Sequence, residues 1–308
     1  MAGRYALIIA CDEYDHEELR NLKSPAHDAE ALAAVLADRQ IGGFEVRTVR
    51  NQPTSVLLPR IEGFFADRKP GDLLLLHFSC HGIKNAPGEL HLAAANTDPA
   101  LLRTTAVPAL FVSQQMTETR AERVVILLDC CFAGTFSRGM SVRDTDAISI
   151  EDSFPDLGPG GQKADDGRGR VVITASSKAE YAFEGDHLVG AGARVPSVFT
   201  GALVEGLATG AADTGGDGLV DLDELYDYVY ERVRAATAHY QKPNIWGARQ
   251  GKVVIASVPP AARIKPIGPP AELAGRARDP APPPRPGRRP GSRSPSGLRS
   301  RTPRRPER

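Results

Sequence analysis

Only four cysteines occur in the 308 residues, too few for a disulfide scaffold in a chain of this length. Two of them, Cys130 and Cys131, are adjacent, and neighbouring cysteines bridge each other only under strain. No run approaches the roughly 18 apolar residues of a membrane span. The start, MAGRYALIIACDEYD, has too short an apolar run for a secretory signal, and acids follow it at once. A reduced, cytoplasmic protein with no membrane partner is expected. Net charge is also missing, but only in the total. After residue 258 there are thirteen Arg/Lys against three acids, so the last stretch carries about plus ten and the body about minus ten.

That last stretch holds about fourteen of the 25 prolines and mixes them with Arg, Ser and Gly. Such a composition cannot bury enough apolar surface to offset its ordering entropy, so residues 258–308 read as a disordered tail. Its cations could hold phosphates, but no aromatics interleave with them and the body is acidic, so a nucleic-acid partner is not expected. Partner binding or simple solvation suits a Pro-rich tail as well.

Residues 1–257 alternate short aliphatic runs with helical patterns, and no internal repeat is found. Strands are expected at Tyr5–Ala10, Phe44–Arg50, Leu73–Phe78, Val124–Leu128, Arg170–Ala175 and Val253–Ala256. Helices are expected from Ser24, at Ser55–Phe65, Val198–Leu207 and Leu222–Ala236. Continuous aliphatic strands separated by helices predict an α/β fold with a mostly parallel sheet covered on both faces. The connection at about 135–169, polar and without apolar periodicity, reads as a flexible linker.

Sites in such sheets form where strands end at the carboxyl edge. The first strand ends in Cys11-Asp12, the third in Ser79-Cys80-His81-Gly82 and the fourth in Asp129-Cys130-Cys131. A lone buried Cys is commonly a small hydrophobe and a lone His structural. Both here follow an aliphatic strand and both precede a glycine, which favours a joint site. Side chains alternate along a strand, so only one of the adjacent cysteines can meet His81; which one the sequence does not decide. A zinc site built from Cys11, Cys80, His81 and Cys131 lacks any C-x-x-C spacing.

HFSCHG followed by LLDCCFAG resembles the caspase-like cysteine peptidases, the group that includes caspases, metacaspases and bacterial orthocaspases. RVVITASS and VFTGALVEGL extend the resemblance over residues 3 to 256. In that family the His stands in S-G-H-G and the nucleophile in D-x-C-x-[SA]-G. The gap from His81 to Cys131 matches the roughly 50 residues of the caspase pattern. The resemblance implies a three-layer sandwich, with His81 and Cys131 as the catalytic pair and Cys130 as the spacer. It further implies an oxyanion hole from the N–H groups of Gly82 and Cys131, no cofactor and no metal. Cys130 stays open as the alternative nucleophile.

The resemblance also implies a specificity. Asp129 stands two residues before the nucleophile, as in metacaspases, and Asp28 and Ser79 match further pocket positions. Two carboxylates and a hydroxyl favour Arg or Lys at P1 and repel Asp. Asp28 could instead serve the start of its helix. The chain departs from the family pattern at Cys80, where Gly is usual, and at Pro25, where Cys is often seen. Calcium is not carried over, because Phe136-Ser137-Arg138 follow the nucleophile. The acidic turn Asp213–Glu224 has some EF-hand spacing, but Gly215 occupies position 3, and a polar turn with Asp221 near a helix start fits better. The expected function is a cysteine endopeptidase acting on protein or peptide substrates with a basic P1, in a bacterial signalling or defence pathway with a sensor or effector partner. A catalytically silent scaffold is the alternative. Self-cleavage in the linker, at Arg143 or Lys163 before Arg138 or Arg168, is one expectation for such an enzyme; the alternative is that the linker is only a tolerated insertion.

Overall fold

The computed structural model describes residues 2–133, 150–157, 169–176, 196–248 and 251–259, with the backbone alone at 131–133, 150, 151 and 156. One compact unit spans Met1–Pro266; a second, Ile267–Arg308, lies outside the described residues. So do Arg138, Arg143, Lys163, Arg168 and nearly all of the expected tail. In chain order the first half contains β1 (Arg4–Ala10), α1 (Pro25–Ala37), β2 (Glu45–Arg50), α2 (Thr54–Phe65) and β3 (Leu73–Lys84). Next come β4 (Leu90–Ala93), α3 (Leu102–Thr105), β5 (Ala106–Pro108), α4 (Ala109–Glu118) and β6 (Arg123–Ala133). The second half adds α5 (Ile150–Ser153), β7 (Gly169–Thr174), α6 (Val198–Thr209) and β8 (Leu219–Asp221). It closes with α7 (Leu222–Ala236), β9 (Asn244–Ala248) and β10 (Val254–Ser257).

The main sheet runs β2-β1-β3-β6-β7-β9, parallel except for β9, with β4 and β5 added antiparallel at the end of β3. Alternation along the strands sorts the core into two layers. On one face Ala6, Ile8, Leu75 and Leu127 pack with Leu32 and Leu36 of α1, Phe199 and Leu203 of α6, and Val229 of α7. On the other, Leu7, Ile9, Leu74, Leu76 and Ile126 pack with Leu57 and Ile61 of α2 and Val112 and Met116 of α4. Each fully buried Leu or Ile of this kind contributes about 1.5–3 kcal/mol. The edge strand β2, EVRTVR, leaves Glu45 and Arg47 exposed, and charge on an edge discourages pairing with another chain.

Four expectations need correction. β3 and β6 do not end at Phe78 and Leu128 but continue to Lys84 and Ala133, so the reactive residues lie inside paired strands. Backbone pairing with β6 and β4 carries these polar residues into the strand, although β3 is buried along almost its whole length. Val254–Ser257 does not join the main sheet; it pairs antiparallel with β8 in a sheet of two strands. The edge of the main sheet is β9 instead. There Gly247 has φ +124°, and a Cβ would lie 2.1 Å from Arg170 O, so close backbone approach hides a strand that has no aliphatic run. Finally, the segment 135–169 is not polar filler throughout: Phe154 is fully buried against the α2/α4 layer.

Candidate active site

β3 and β6 are neighbours at the centre of the sheet, and their register sets Ser79 opposite Asp129, Cys80 opposite Cys130 and His81 opposite Cys131. The two strand motifs, fifty residues apart, are therefore aligned residue for residue. Parity divides them. Cys80 and Cys130 belong to the apolar layer with Phe78 and Leu128, their sulfurs 3.7 Å apart and both shut from solvent. The hydrogen bond with the Cys80 thiol, and then burial, push the Cys130 pKa well up. Cys11, buried in the same layer, is pushed up to about 12, mainly by burial. Neither Cys130 nor Cys11 is disposed to ionise. Position 131 shares the parity of Asp129.

His81 is held by the loop between β1 and α1. Its Nε2 lies 2.7 Å from Arg20 O, and since a carbonyl only accepts, Nε2 carries the proton. In the neutral ring Nδ1 is then the basic nitrogen. The ring centroid of Tyr14 is 5.0 Å from that of His81, tilted by 37°. Gly82 follows His81, opposite Phe132 of β6 and Leu92 of β4.

Asp28, Ser79 and Asp129 do come together, and the N-terminus of α6 joins them. Ser79 Oγ donates to Asp28 Oδ2 at 2.7 Å, and Ser197 N–H donates to Asp28 Oδ1 at 2.7 Å. Ser197 Oγ donates to Asp129 Oδ2, and Thr200 Oγ1 donates to the same oxygen at 2.6 Å. Ser197 also caps α6 by accepting Thr200 N–H at 3.0 Å. Two acids buried side by side pay for desolvation and mutual repulsion. Burial, then the charge of Asp129, pushes the Asp28 pKa well up; burial raises Asp129 too, against the pull of the Ser197 and Thr200 hydroxyls. The positive end of α6 offsets part of that cost. Asp28 lies in the first turn of α1, as its alternative reading required, yet its oxygens serve Ser79 and Ser197 rather than that helix's own N–H groups.

Four residues of this constellation were missing from the sequence reading. Ser197 and Thr200 lie in a segment where only helical periodicity was legible. Tyr14 lies in a polar loop. His77, in the middle of the aliphatic run of β3, is fully buried, and its Nε2 lies 3.1 Å from Thr200 Oγ1. Thr200 Oγ1 gives its own proton to Asp129, so His77 Nε2–H is the donor. Burial lowers the His77 pKa to about 3, so the ring is neutral and does not replace His81.

The acidic turn carries no metal geometry. Asp221 caps α7 in a capping box with Glu224, Gly215 N–H donates to Glu224 Oε1, and Gly218 N–H donates to Asp213 Oδ2. Among the described residues no group of three or more His, Cys, Asp or Glu is arranged to hold a metal ion. Nor is any helix among them long and apolar enough to cross a membrane.

A mostly parallel sheet between two helical layers, with His and Cys in register on its central strands, defines the caspase-like fold. A family model described as "Caspase domain" matches residues 3–254, and the chain belongs to that family of cysteine peptidases. Among solved structures, it is similar to protein GSU0716 from Geobacter sulfurreducens (TM-score 0.54, 16% identity, covering 81% of this chain and 94% of that one). It is likewise similar to Caspase-1 from Spodoptera frugiperda (TM-score 0.54, 15% identity, covering 83% and 91%). At these identities the likeness is one of fold. A search of curated proteins found no match.

Proposed function

We propose that the chain is a cysteine endopeptidase that cleaves after Arg or Lys, with Cys131 as nucleophile and His81 as its acid–base partner. The observation that carries the reading is the register of His81 opposite Cys131, with the other adjacent cysteine committed to a buried pair with Cys80. In this mechanism His81 Nδ1 takes the Cys131 thiol proton, and the thiolate attacks the scissile carbonyl. The C=O electron pair moves to oxygen, where the N–H groups of Gly82 and Cys131 stabilise it. Collapse expels the amine, which leaves with the proton from His81. Water, deprotonated by the same ring, then hydrolyses the thioester and restores the thiol. The Arg20 carbonyl on Nε2 favours the imidazolium that exists between these transfers.

Asp129 and Asp28, with Ser79 between β3 and α1, supply the negative charge that a guanidinium or ammonium at P1 would meet. Protein segments presenting Arg or Lys in extended form are the expected substrates, and the family resemblance suggests a signalling or defence setting. The test is hydrolysis of matched peptides with Arg, Lys, Asp or Ala at P1 by the full chain and by Cys131→Ala. Cleavage of Arg and Lys peptides that disappears in Cys131→Ala supports the reading. Preference for Asp would overturn the specificity, and no thiol-dependent cleavage of any peptide would favour a silent scaffold.

A further inference from the structure

We propose that Tyr14 is a positioning residue for His81, its hydroxyl spliced into the hydrogen-bond ladder between β1 and β3. This rests on the catalytic reading of His81 given above. The two strands pair in parallel from Arg4↔Leu73 to Ala10↔Ser79, and Cys11 N–H continues the ladder to Ser79 O at 2.9 Å. In a parallel ladder a residue that donates to position j−1 accepts from position j+1. The next rung would therefore run from His81 N–H directly to Cys11 O. Instead, His81 N–H donates to Tyr14 Oη at 3.1 Å, and Tyr14 Oη–H donates to Cys11 O at 2.7 Å.

One phenolic oxygen thus replaces a direct contact. Both backbone groups stay satisfied, which burial demands, while β1 and β3 part by the width of that atom where His81 begins. The splice needs a hydroxyl that donates and accepts at once, so it needs a protonated phenol. Burial holds Tyr14 in that form by pushing its pKa well up. The main chain that carries Tyr14 is tied down as well as the hydroxyl. Tyr14 N–H donates to Asn21 Oδ1 at 3.2 Å, Asp15 N–H to Ala95 O at 2.9 Å and Leu22 N–H to Asp12 O at 3.0 Å. One loop, residues 11–24, therefore grips His81 at its backbone N–H, at its ring through Tyr14 and at Nε2 through Arg20 O. A shift of this loop moves the imidazole relative to β6, where Cys131 stands, and misplacement of about 1 Å costs up to about a hundredfold in rate.

The experiment is Tyr14→Phe, which keeps the ring and removes the splice. We expect kcat on an Arg-P1 peptide to fall about ten- to a hundredfold with KM within about twofold, because substrate binding is untouched. In parallel, the second-order rate of Cys131 alkylation by iodoacetamide, read at that residue by tandem mass spectrometry, should fall by a similar factor. An unchanged kcat, or a loss carried by KM, overturns the proposal. The two readouts separate it from the specificity reading. If the unmodified protein cleaves no basic peptide but Tyr14→Phe still slows alkylation, the specificity is wrong and the positioning role stands. If cleavage is robust and Tyr14→Phe changes neither readout, the reverse holds. Should Tyr14→Phe fail to fold, Asn21→Ala removes the acceptor of Tyr14 N–H and leaves the hydroxyl in place. It should lower kcat about threefold at constant KM, and an unaltered kcat is then the refuting result.

Discussion

The thiols of Cys80 and Cys130 face each other across the two central strands at 3.7 Å, both closed to solvent, one residue from the His81–Cys131 pair. This makes the adjacent cysteines unequal. Cys130→Ala should retain most peptide hydrolysis while losing about 1–2 kcal/mol of stability to the cavity it leaves. Cys131→Ala should lose hydrolysis entirely. Denaturant unfolding and a peptide assay on both variants would check it; a dead, folded Cys130→Ala reverses the assignment.

Asp28 sets stability against function. Its native pKa is raised, so its ionisation is dearer in the folded chain, and stability is lost as pH rises from the ordinary carboxylate value through the native one. Asn keeps an acceptor for Ser197 N–H and offers an amide to Ser79 Oγ. Asp28→Asn should therefore melt higher than the parent at neutral pH, with the gap closing in acid. Its kcat/KM on Arg peptides should fall about ten- to a hundredfold. A lower melting temperature at neutral pH would contradict the repulsion argument.

The same coupling gives substrate binding a pH dependence. A pair that holds protons more tightly than free carboxylates must release them to meet a cation, so KM for an Arg peptide should rise as the assay is made more acidic. A peptide with citrulline at P1 should show no such rise. Parallel profiles for the two peptides would place the titration outside the pocket.

His77 supplies an acid-sensitive element. Its folded pKa, lowered to about 3 by burial, lies below the unfolded value. Its contribution is complete above about pH 6.5 and is lost as pH falls toward 3, at up to about 1.4 kcal/mol per pH unit. His77→Gln keeps a donor for Thr200 and should flatten the stability–pH curve over that window. A curve of unchanged slope, measured by urea unfolding, would remove His77 from the account.

Thr200 joins that histidine to Asp129. Thr200→Val preserves shape but strands the buried His77 donor and removes one of the two hydroxyls that donate to Asp129 Oδ2, and should cost about 1–3 kcal/mol. Combined with His77→Phe, which removes the donor outright, the losses should not add, because the two side chains share one hydrogen bond. Additive losses in a double-mutant cycle would argue against the chain His77–Thr200–Asp129.

Local pattern was enough to fix much of this protein. Aliphatic runs such as Leu73–Leu76 and Val124–Leu128 announce buried parallel strands, because only a sheet covered on both faces shelters so many side chains in succession. The helices that cover it show in the spacing of residues such as Leu32 and Leu36. The motifs around His81 and Cys131 are equally local, since each is a few residues of one strand. What no local pattern contains is the meeting of distant residues. The extension of β3 to Lys84 depends on pairing with β4 and β6, whose hydrogen bonds carry polar residues that propensity alone would leave in a loop. The fates of the two cysteines follow from the register, a relation between two strands. Ser197 and Thr200 become partners of the acids only because α6 points its N-terminus at the sheet, and Tyr14 completes a rung of a ladder to which it does not belong. These are tertiary facts because a buried carboxylate or backbone N–H accepts whatever group the fold brings within hydrogen-bond reach, however far away it lies in the chain.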